Sequence, residues 1–430
     1  MTRAGGRDSS RADARPDSAA GSEADVCIVG GGLVGASLAC ALEPLGLRVA
    51  LLEAVAPRSA TQPSYDDRTL ALSASSCRIL QALGIWPLLE ENATPIREIH
   101  VSELGRPGRV ILRADELGLD CYGNVVEARV FGAAAQRLLP ELHGFEWLCP
   151  ARLTTLTPDD EAVTVGYEAD GQSAELRCRL VVGADGAASA VRDALGIETR
   201  HHDYGQTAVI CNVTPEQHHA GRAFERLSAT GPFAILPHVG GRCGLVWSVE
   251  TAQARSLLDL DDETFLSRAR SRFGDALGDW TRVGRRSAYP LQLTRPLRDV
   301  GPRSLLLGNA AHAIHPVGAQ GFNLGLRDVA VLAEVIADAL ARDRGADPGE
   351  PDLLRRYSEW RAPDQDRTIA LTDGLARLFA NPTAGAAAAR RAGLLAHALF
   401  PGLRRRLAVQ AMGYRGRIPR LALGEDLGAG

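Results

Sequence analysis

The chain contains no lysine: all 48 of its basic residues are arginine. This excludes Schiff-base catalysis, a pyridoxal-phosphate lysine and a Walker-type phosphate loop, each of which needs that ammonium. The eight cysteines include no CxxC pair and no Cys/His cluster at ligand spacing. They read as reduced, mostly buried thiols rather than a disulfide framework or a zinc site. The histidine pairs His201-His202 and His218-His219 lack the HxxxH helical spacing that a metal would use. No uncharged apolar run approaches the ~18 residues of a membrane span. Residues 1–24 lack the apolar stretch of about 7–15 residues that a signal peptide needs, and their polar composition predicts a disordered tail. The formal net charge is −4, which gives no electrostatic footprint for nucleic acid. With 45% hydrophobic residues in a chain of 430, there is enough apolar material for two or three lobes.

The informative stretches are rich in glycine. "DVCIVG" predicts a short buried strand, "LVGASLACALEPLG" a small-residue helix closing at Gly46, and "LRVALLE" a second buried strand ending at Glu53. Asp25 to Glu53 spans 29 residues, close to the ~30 of a dinucleotide-binding βαβ unit. Gly30, Gly32 and Gly35 occupy the GxGxxG positions between strand and helix. The first permits a tight turn, the second lets backbone N–H groups approach a pyrophosphate, and the third lets the helix pack closely on the strand. Glu53 would accept hydrogen bonds from ribose hydroxyls and repel a 2′-phosphate, which favours NAD or FAD over NADP.

Further buried strands are predicted at "RLVVGAD" (179–185) and "RSLLLGN" (303–309), the latter leading to a long helix from about Phe322. Between them lie segments of alternating character: a hairpin turning at Asp170-Gly171, another at Gly240-Gly241, and the strand "RSAYPLQLTRPL". The expected fold is α/β and two-lobed, a parallel sheet with helices into which an antiparallel sheet is inserted. The first lobe comprises residues 25–100, 125–200 and 296–345. The inserted lobe comprises 101–124 and 201–295, and 346–430 form a C-terminal helical region.

Two more turns carry chemistry. In "VVGADGAASAVRDALG", Asp185-Gly186 follow a buried strand; alone, this is equally an ordinary βα turn with a capping residue. In "GNAAHAIHPVGAQGFNLGLRD", Gly308-Asn309 end a strand and 316–321 loop into a helix start, whose unpaired N–H groups and dipole present positive potential. A second positive turn makes sense for a ligand with two electron-rich ends. FAD has them: a pyrophosphate, and a flavin edge that becomes anionic on reduction.

The three turns, in this order, resemble the single-component FAD-dependent aromatic hydroxylases of the p-hydroxybenzoate hydroxylase type. "HPxxxQGFNLGLRD" resembles the ubiquinone-biosynthesis branch. "DDRTLALS", "HVSELG", "GRAFERL", "GRCGLVW" and "RRSAYPL" are similar to members acting on a 2-polyprenyl-6-methoxyphenol. The resemblance implies a Rossmann-like FAD-binding domain with an inserted substrate domain, the latter roofing the pocket with 233–237 and 289–291. It implies that Gly30, Gly32, Gly35 and Glu53 hold the ADP half of FAD, and that Asp185 and Gly186 serve both FAD and a visiting NAD(P)H. Gly308 and Asn309 would contact the ribityl chain; Pro316, Gly318, Gln320, Gly321 and Asn323 would face the flavin ring; Arg68 and Arg129 would approach it. The implied reaction is hydroxylation of a polyprenylated phenol with O₂, through NAD(P)H-reduced flavin and a C4a-hydroperoxide. No residue is assigned as catalytic, and no metal is implied.

Two positions depart from the family pattern. Asn309 stands where aspartate is common, keeping an acceptor without the charge. Ala319 stands where the loop usually has glycine, and a left-handed backbone there would be strained. His312 and His315 read as packing or capping groups rather than an acid–base pair. After Asp373 come nine arginines before the next acid, Glu425, interleaved with Leu394, Leu395, Leu399, Phe400 and Leu407. This basic amphipathic region would meet an anionic membrane surface, the flavin lobe, or another quinone-biosynthesis protein. The expected location is the cytoplasm, or its membrane face. A sister hydroxylase acting at another ring carbon, a nicotinamide-only dehydrogenase and a non-catalytic flavin-binding scaffold are the alternatives.

Overall fold

A strand buried on both faces has no polar alternation, and the opening strand shows why its sequence is so uniformly apolar. The computed structural model describes residues 22–56, 68–106 and 108–428. Ser22–Val29 lies between Gln172–Gly183 and Val49–Leu52, with Ser304–Leu306 and Phe145–Leu148 beyond them, all five parallel. Val26, Cys27 and Ile28 are fully buried, as are Val181, Val182, Leu305 and Leu306. The helix Leu33–Leu42 makes the crossover to Val49–Leu52 and ends through a turn at Gly46, φ +72°.

The strand starts earlier than predicted. Ser22, Glu23 and Ala24 already pair with Leu176, Arg177 and Cys178, so the sheet begins inside the span read as tail. Residues 1–21 of that tail lie outside the described residues. The hairpin at Asp170-Gly171 forms with both turn residues at positive φ, as its twist requires. Its second arm is not a separate strand, however: Gln172–Gly183 runs straight on into the parallel sheet, placing the hairpin in the first lobe.

The second sheet runs Trp280–Val283, Thr199–Pro215, Cys243–Glu250, Phe233–Pro237, Arg222–Leu227, Glu98–Glu103 and Arg109–Arg113, with Ser287–Pro296 also on Thr199–Pro215. It is antiparallel except where Arg222–Leu227 runs parallel to Glu98–Glu103. That exception arises because these two strands come from distant parts of the chain rather than one hairpin. Glu98–Glu103 belongs wholly to this sheet, whereas the predicted boundary at residue 100 would cut it. One face of the sheet carries Val209, Phe224, Phe233, Leu245 and Trp247 against Phe265 and Phe273 of the helix Asp262–Phe273. The other face is turned to the first lobe. A small third sheet, Thr69–Ser73, Gly123–Glu127 and Thr94–Pro95, lies between the two.

The helix Gln320–Arg342 runs through the core, with every residue from Asn323 to Ala337 buried. One of these is Asp328. Its Oδ2 faces His312 Nε2 at 2.5 Å, and its Oδ1 accepts from Arg361 Nε at 2.7 Å and Gln365 Nε2 at 3.1 Å. Arg361 also reaches Asp364, which accepts in turn from Arg327. Burial alone would push the Asp328 carboxyl up; His312 and Arg361 outweigh it and hold it well below the usual carboxylate range. Its stabilising contribution is therefore complete above the unfolded carboxyl value and disappears only as pH falls through the depressed folded one. Breaking a buried pair typically costs about 3–5 kcal/mol. Asp328→Asn should lower stability by that order at neutral pH, read by denaturant titration, and should flatten acid unfolding; an unchanged acid limb would refute the assignment.

Candidate active site

The first glycine turn is shaped by contacts that admit no side chain. Gly30 has φ +105°, and a Cβ there would lie 2.6 Å from the Ala184 carbonyl oxygen and 2.7 Å from Asp185 Cα. A Cβ on Gly35 would lie 1.9 Å from the Gly30 carbonyl oxygen. Gly32 caps the helix Leu33–Leu42 without a side-chain bond, so the helix start is served by backbone alone. Glu53 leans over the turn: its Oε2 accepts from the Gly31 N–H at 2.7 Å and its Oε1 from the Val55 N–H at 2.8 Å. The acid thus fixes the turn itself, a role the sequence did not suggest.

The distant glycine turn is packed against the first. Gly308, φ +56°, has room for a Cβ only 3.0 Å from Val34 Cγ2, and Gly325 in the long helix faces the same methyl at 3.0 Å. Val34, one of the unspecified positions of GxGxxG, is therefore the contact joining both turns. Nothing in the motif flags it, because an x position is silent in sequence. Asn309 is exposed, with its Oδ1 4.0 Å from where a Cβ on Gly321 would stand.

The loop into the long helix has the predicted strain. Gly318 has φ +70° and Ala319 φ +51°, ψ +40°, a left-handed alanine capping the helix. Ala319 N–H donates to the Pro316 carbonyl at 2.8 Å. The Gln320 side chain donates to the Gly318 carbonyl at 3.1 Å. Asn323 is bound on both sides of the loop. Its Oδ1 accepts from Ser73 N–H and Ser76 Oγ, and its Nδ2 donates to the Ala71 and Ala319 carbonyls, all within 2.8 Å. With both polar atoms of its side chain bound within the protein, Asn323 braces the loop against Thr69–Ser73.

Asp185 sits beside Gly30 and accepts from the Val191 N–H at 3.1 Å, while its Oδ1 is buried without a hydrogen-bond partner among the described residues. Burial raises its carboxyl above the usual range, against hydrogen bonds that lower it. Arg192 ties this turn to the other by donating to the Ala310 carbonyl at 3.3 Å. Arg68 stands 5.5 Å from the Tyr289 ring centroid, where the two lobes meet. Arg129 is ion-paired to Glu127, which also holds Arg242 at 3.0 Å. This buried acid anchors Arg129 and went unnoticed in the sequence because an isolated glutamate carries no spacing signal. His312 is bound to Asp328. His315 is 1% exposed; its Nδ1 accepts from the Val317 N–H at 3.2 Å, and burial pushes it down to about 4, so it is neutral near pH 7. Both histidines brace structure.

A family model described as an FAD binding domain matches residues 23–372. A ubiquinone hydroxylase, UbiL, of Rhodospirillum rubrum is 43% identical over 391 residues, covering 91% of this chain and 90% of that protein. The chain belongs to the FAD-dependent ubiquinone-biosynthesis hydroxylases. This hydroxylase is also 32% identical to the 3-demethoxyubiquinol 3-hydroxylase of Escherichia coli, over 79% of this chain and 86% of that one. Its fold matches p-nitrophenol 4-monooxygenase PnpA of Pseudomonas putida with a TM-score of 0.74, covering 92% and 100% of the two chains at 20% identity.

Two substitutions test the turns. Gly35→Ala forces a methyl into the Gly30 carbonyl, and overpacking of this kind costs about 1–3 kcal/mol or more; the purified variant should lose bound FAD and its yellow colour. Ala319→Gly removes a left-handed cost of about 1–2 kcal/mol against about 0.4–1 kcal/mol of extra unfolded-state freedom. It should stabilise the protein by up to about 1 kcal/mol in a thermal-shift assay.

Proposed function

We propose that one FAD spans the two joined turns and that the enzyme hydroxylates the ring of a 2-polyprenyl-6-methoxyphenol, with NAD(P)H as a visiting reductant. Gly30, Gly32, Gly35 and Glu53 would hold the ADP half; Gly308, Asn309, Pro316, Gly318, Gln320 and Gly321 would meet the other end. Asp185, Gly186, Arg68 and Arg129 would flank it. The observation that carries this reading is Val34 seated between Gly308 and Gly325, which puts both turns within reach of a single elongated ligand. Glycines lacking room for a Cβ and an unpartnered Asp185 oxygen fit such a ligand. The bound flavin would supply the electrons that activate O₂; the protein's part is to orient the phenol, exclude water and hold charge.

Similarity to a relative named as a 3-hydroxylase favours one second reading, a sister reaction at another ring carbon. Deletion of the gene followed by mass spectrometry of accumulated quinone precursors separates the two. Build-up of the 6-methoxyphenol species is expected, and a precursor blocked at another step would overturn the assigned position. Prenyl-phenol-stimulated NAD(P)H oxidation by the purified protein is also expected; its absence would favour a non-catalytic scaffold.

The same substrate suggests a surface. No helix among the described residues is long and apolar enough to cross a membrane. Leu395, Leu399 and Phe400 are nevertheless 58%, 63% and 59% exposed at the corner between the helices Ala384–Leu399 and Pro401–Ala411. Arg391, Arg405 and Arg406 are exposed on the same helices. Leu394 and Leu407 instead pack on the cluster around Val110 and Met412, and Arg390 is bound to Glu103 at 3.0 Å. The corner would rest on an anionic bilayer, where a polyprenyl tail resides. Co-sedimentation with anionic vesicles should fall sharply in the triple variant Leu395→Ser, Leu399→Ser, Phe400→Ser; undiminished binding would exclude this surface.

A further inference from the structure

Arg222–Leu227 lies between Phe233–Pro237 and Glu98–Glu103 in the second sheet, and its alternate residues identify the two faces. Phe224 packs in the outer core with Phe273, and Arg226 lies 4.6 Å from the Phe273 ring centroid. Ala223, Glu225 and Leu227 therefore point inward. Ala223 shares a cluster with Val125 and Ala71 of the small intervening sheet, and Leu227 shares one with Val317 of the loop 316–319. Glu225 stands between these two contacts. On either side, at the same register and on the same face, are Val101 and Ala234. Its cross-strand neighbours are apolar, and its face of the sheet packs toward the loop that opens the long helix.

We infer that Glu225 is the proton acceptor for the phenol hydroxyl of the substrate, an inference that rests on the hydroxylase reading above. In the proposed step the phenol O–H bond breaks, its proton passes to a Glu225 carboxylate oxygen, and its electron pair remains on the phenolate. The phenolate donates more electron density to the ring, the property an electrophilic hydroxylation needs. The proton is returned to solvent when product leaves.

The surroundings support an acid–base role over a structural one. Glu225 Oε1 is sealed from solvent and has no hydrogen-bond partner among the described residues. A buried polar atom left unpaired in a native fold calls for an explanation in function or in a missing ligand. No cation among the described residues is paired with it. Glu103, facing inward opposite Leu227, is held by Arg390 at 3.0 Å. Asp373 and Arg377, on the helix that supplies Phe379, pair with each other at 2.8 Å. His315 is neutral near pH 7, and the facing positions of Phe233–Pro237, Ala234 and Leu236, carry no charge. Burial alone pushes the Glu225 carboxyl up to about 7, matched to proton exchange near neutral pH.

The test compares the FAD-loaded wild type with Glu225→Gln. In the wild type, kcat/KM should fall as pH drops through about 7, where the acceptor becomes protonated. In the variant that acidic limb should vanish and kcat/KM should fall by about 10²-fold, within the usual range for general-base catalysis. A readout independent of turnover is the ionisation of a bound prenyl-phenol, followed by ultraviolet difference spectroscopy. Its apparent pKa should fall in the variant, because the carboxylate charge that opposes a neighbouring phenolate is gone, while FAD content stays unchanged. Because the folded carboxyl is raised, its ionisation destabilises the fold as pH rises through about 7. Glu225→Gln should therefore melt no lower than wild type at alkaline pH, which shows that it folds. An unchanged pH profile and unchanged phenol ionisation would overturn the role of Glu225 while leaving the hydroxylase reading intact. A wild-type holoenzyme that no prenyl-phenol stimulates would instead defeat that reading itself.

Discussion

The structure depends on one close approach, in which Val34 in the first turn of the crossover helix meets Gly308 and Gly325. Each of those glycines leaves the space that a side chain would otherwise fill. The first turn, the distant turn and the long central helix are thereby packed as one unit. Interiors are packed densely enough that a methyl added at either glycine would press on the Val34 side chain, which would have to shift. Residues some 270 positions apart can then act on one elongated ligand without a connecting loop of their own.

Around that junction the polar groups divide into two kinds. Asp328, His312, Arg361, Asp364 and Arg327 form a buried network in which each charge has a partner. Such a network specifies how the central helix and the Pro351–Ala380 helix meet, since a shift in either would strand a charge in a low-dielectric interior. Asn323 does comparable work without charge, its side chain making four hydrogen bonds that join Ala319 to Ala71, Ser73 and Ser76. Asp185 and Glu225 are of the other kind, each a carboxylate with a buried oxygen that has no hydrogen-bond partner among the described residues. The ion-paired groups hold the central helix in place, whereas the two acids have no cation beside them among the described residues.

The strained alanine at 319 belongs to the same logic. A left-handed residue without glycine persists only where its surroundings over-determine it. Here the Pro316 carbonyl receives the Ala319 N–H, and the Asn323 side chain binds the Ala319 carbonyl. The loop is held rigid by bonds rather than by glycine's freedom.

Much of this was legible in the chain alone, because glycine spacing and apolar runs are local signals with local causes. The βαβ unit, the turns at Asp170 and Gly240 and the strain at Ala319 all follow from near neighbours in sequence. The family likeness, too, rests on contiguous motifs. What only tertiary structure decided were relations between remote residues: that Val34 joins the two turns, that Asn323 spends its amide on Thr69–Ser73, that Glu127 anchors Arg129, and that Glu98–Glu103 pairs parallel with a strand over a hundred residues away. A glutamate in "GRAFERL" looks like any solvated charge until the sheet's pleat turns it inward among apolar neighbours. The reason is physical: burial and partner choice are set by which faces pack together, and no window along the chain contains both faces.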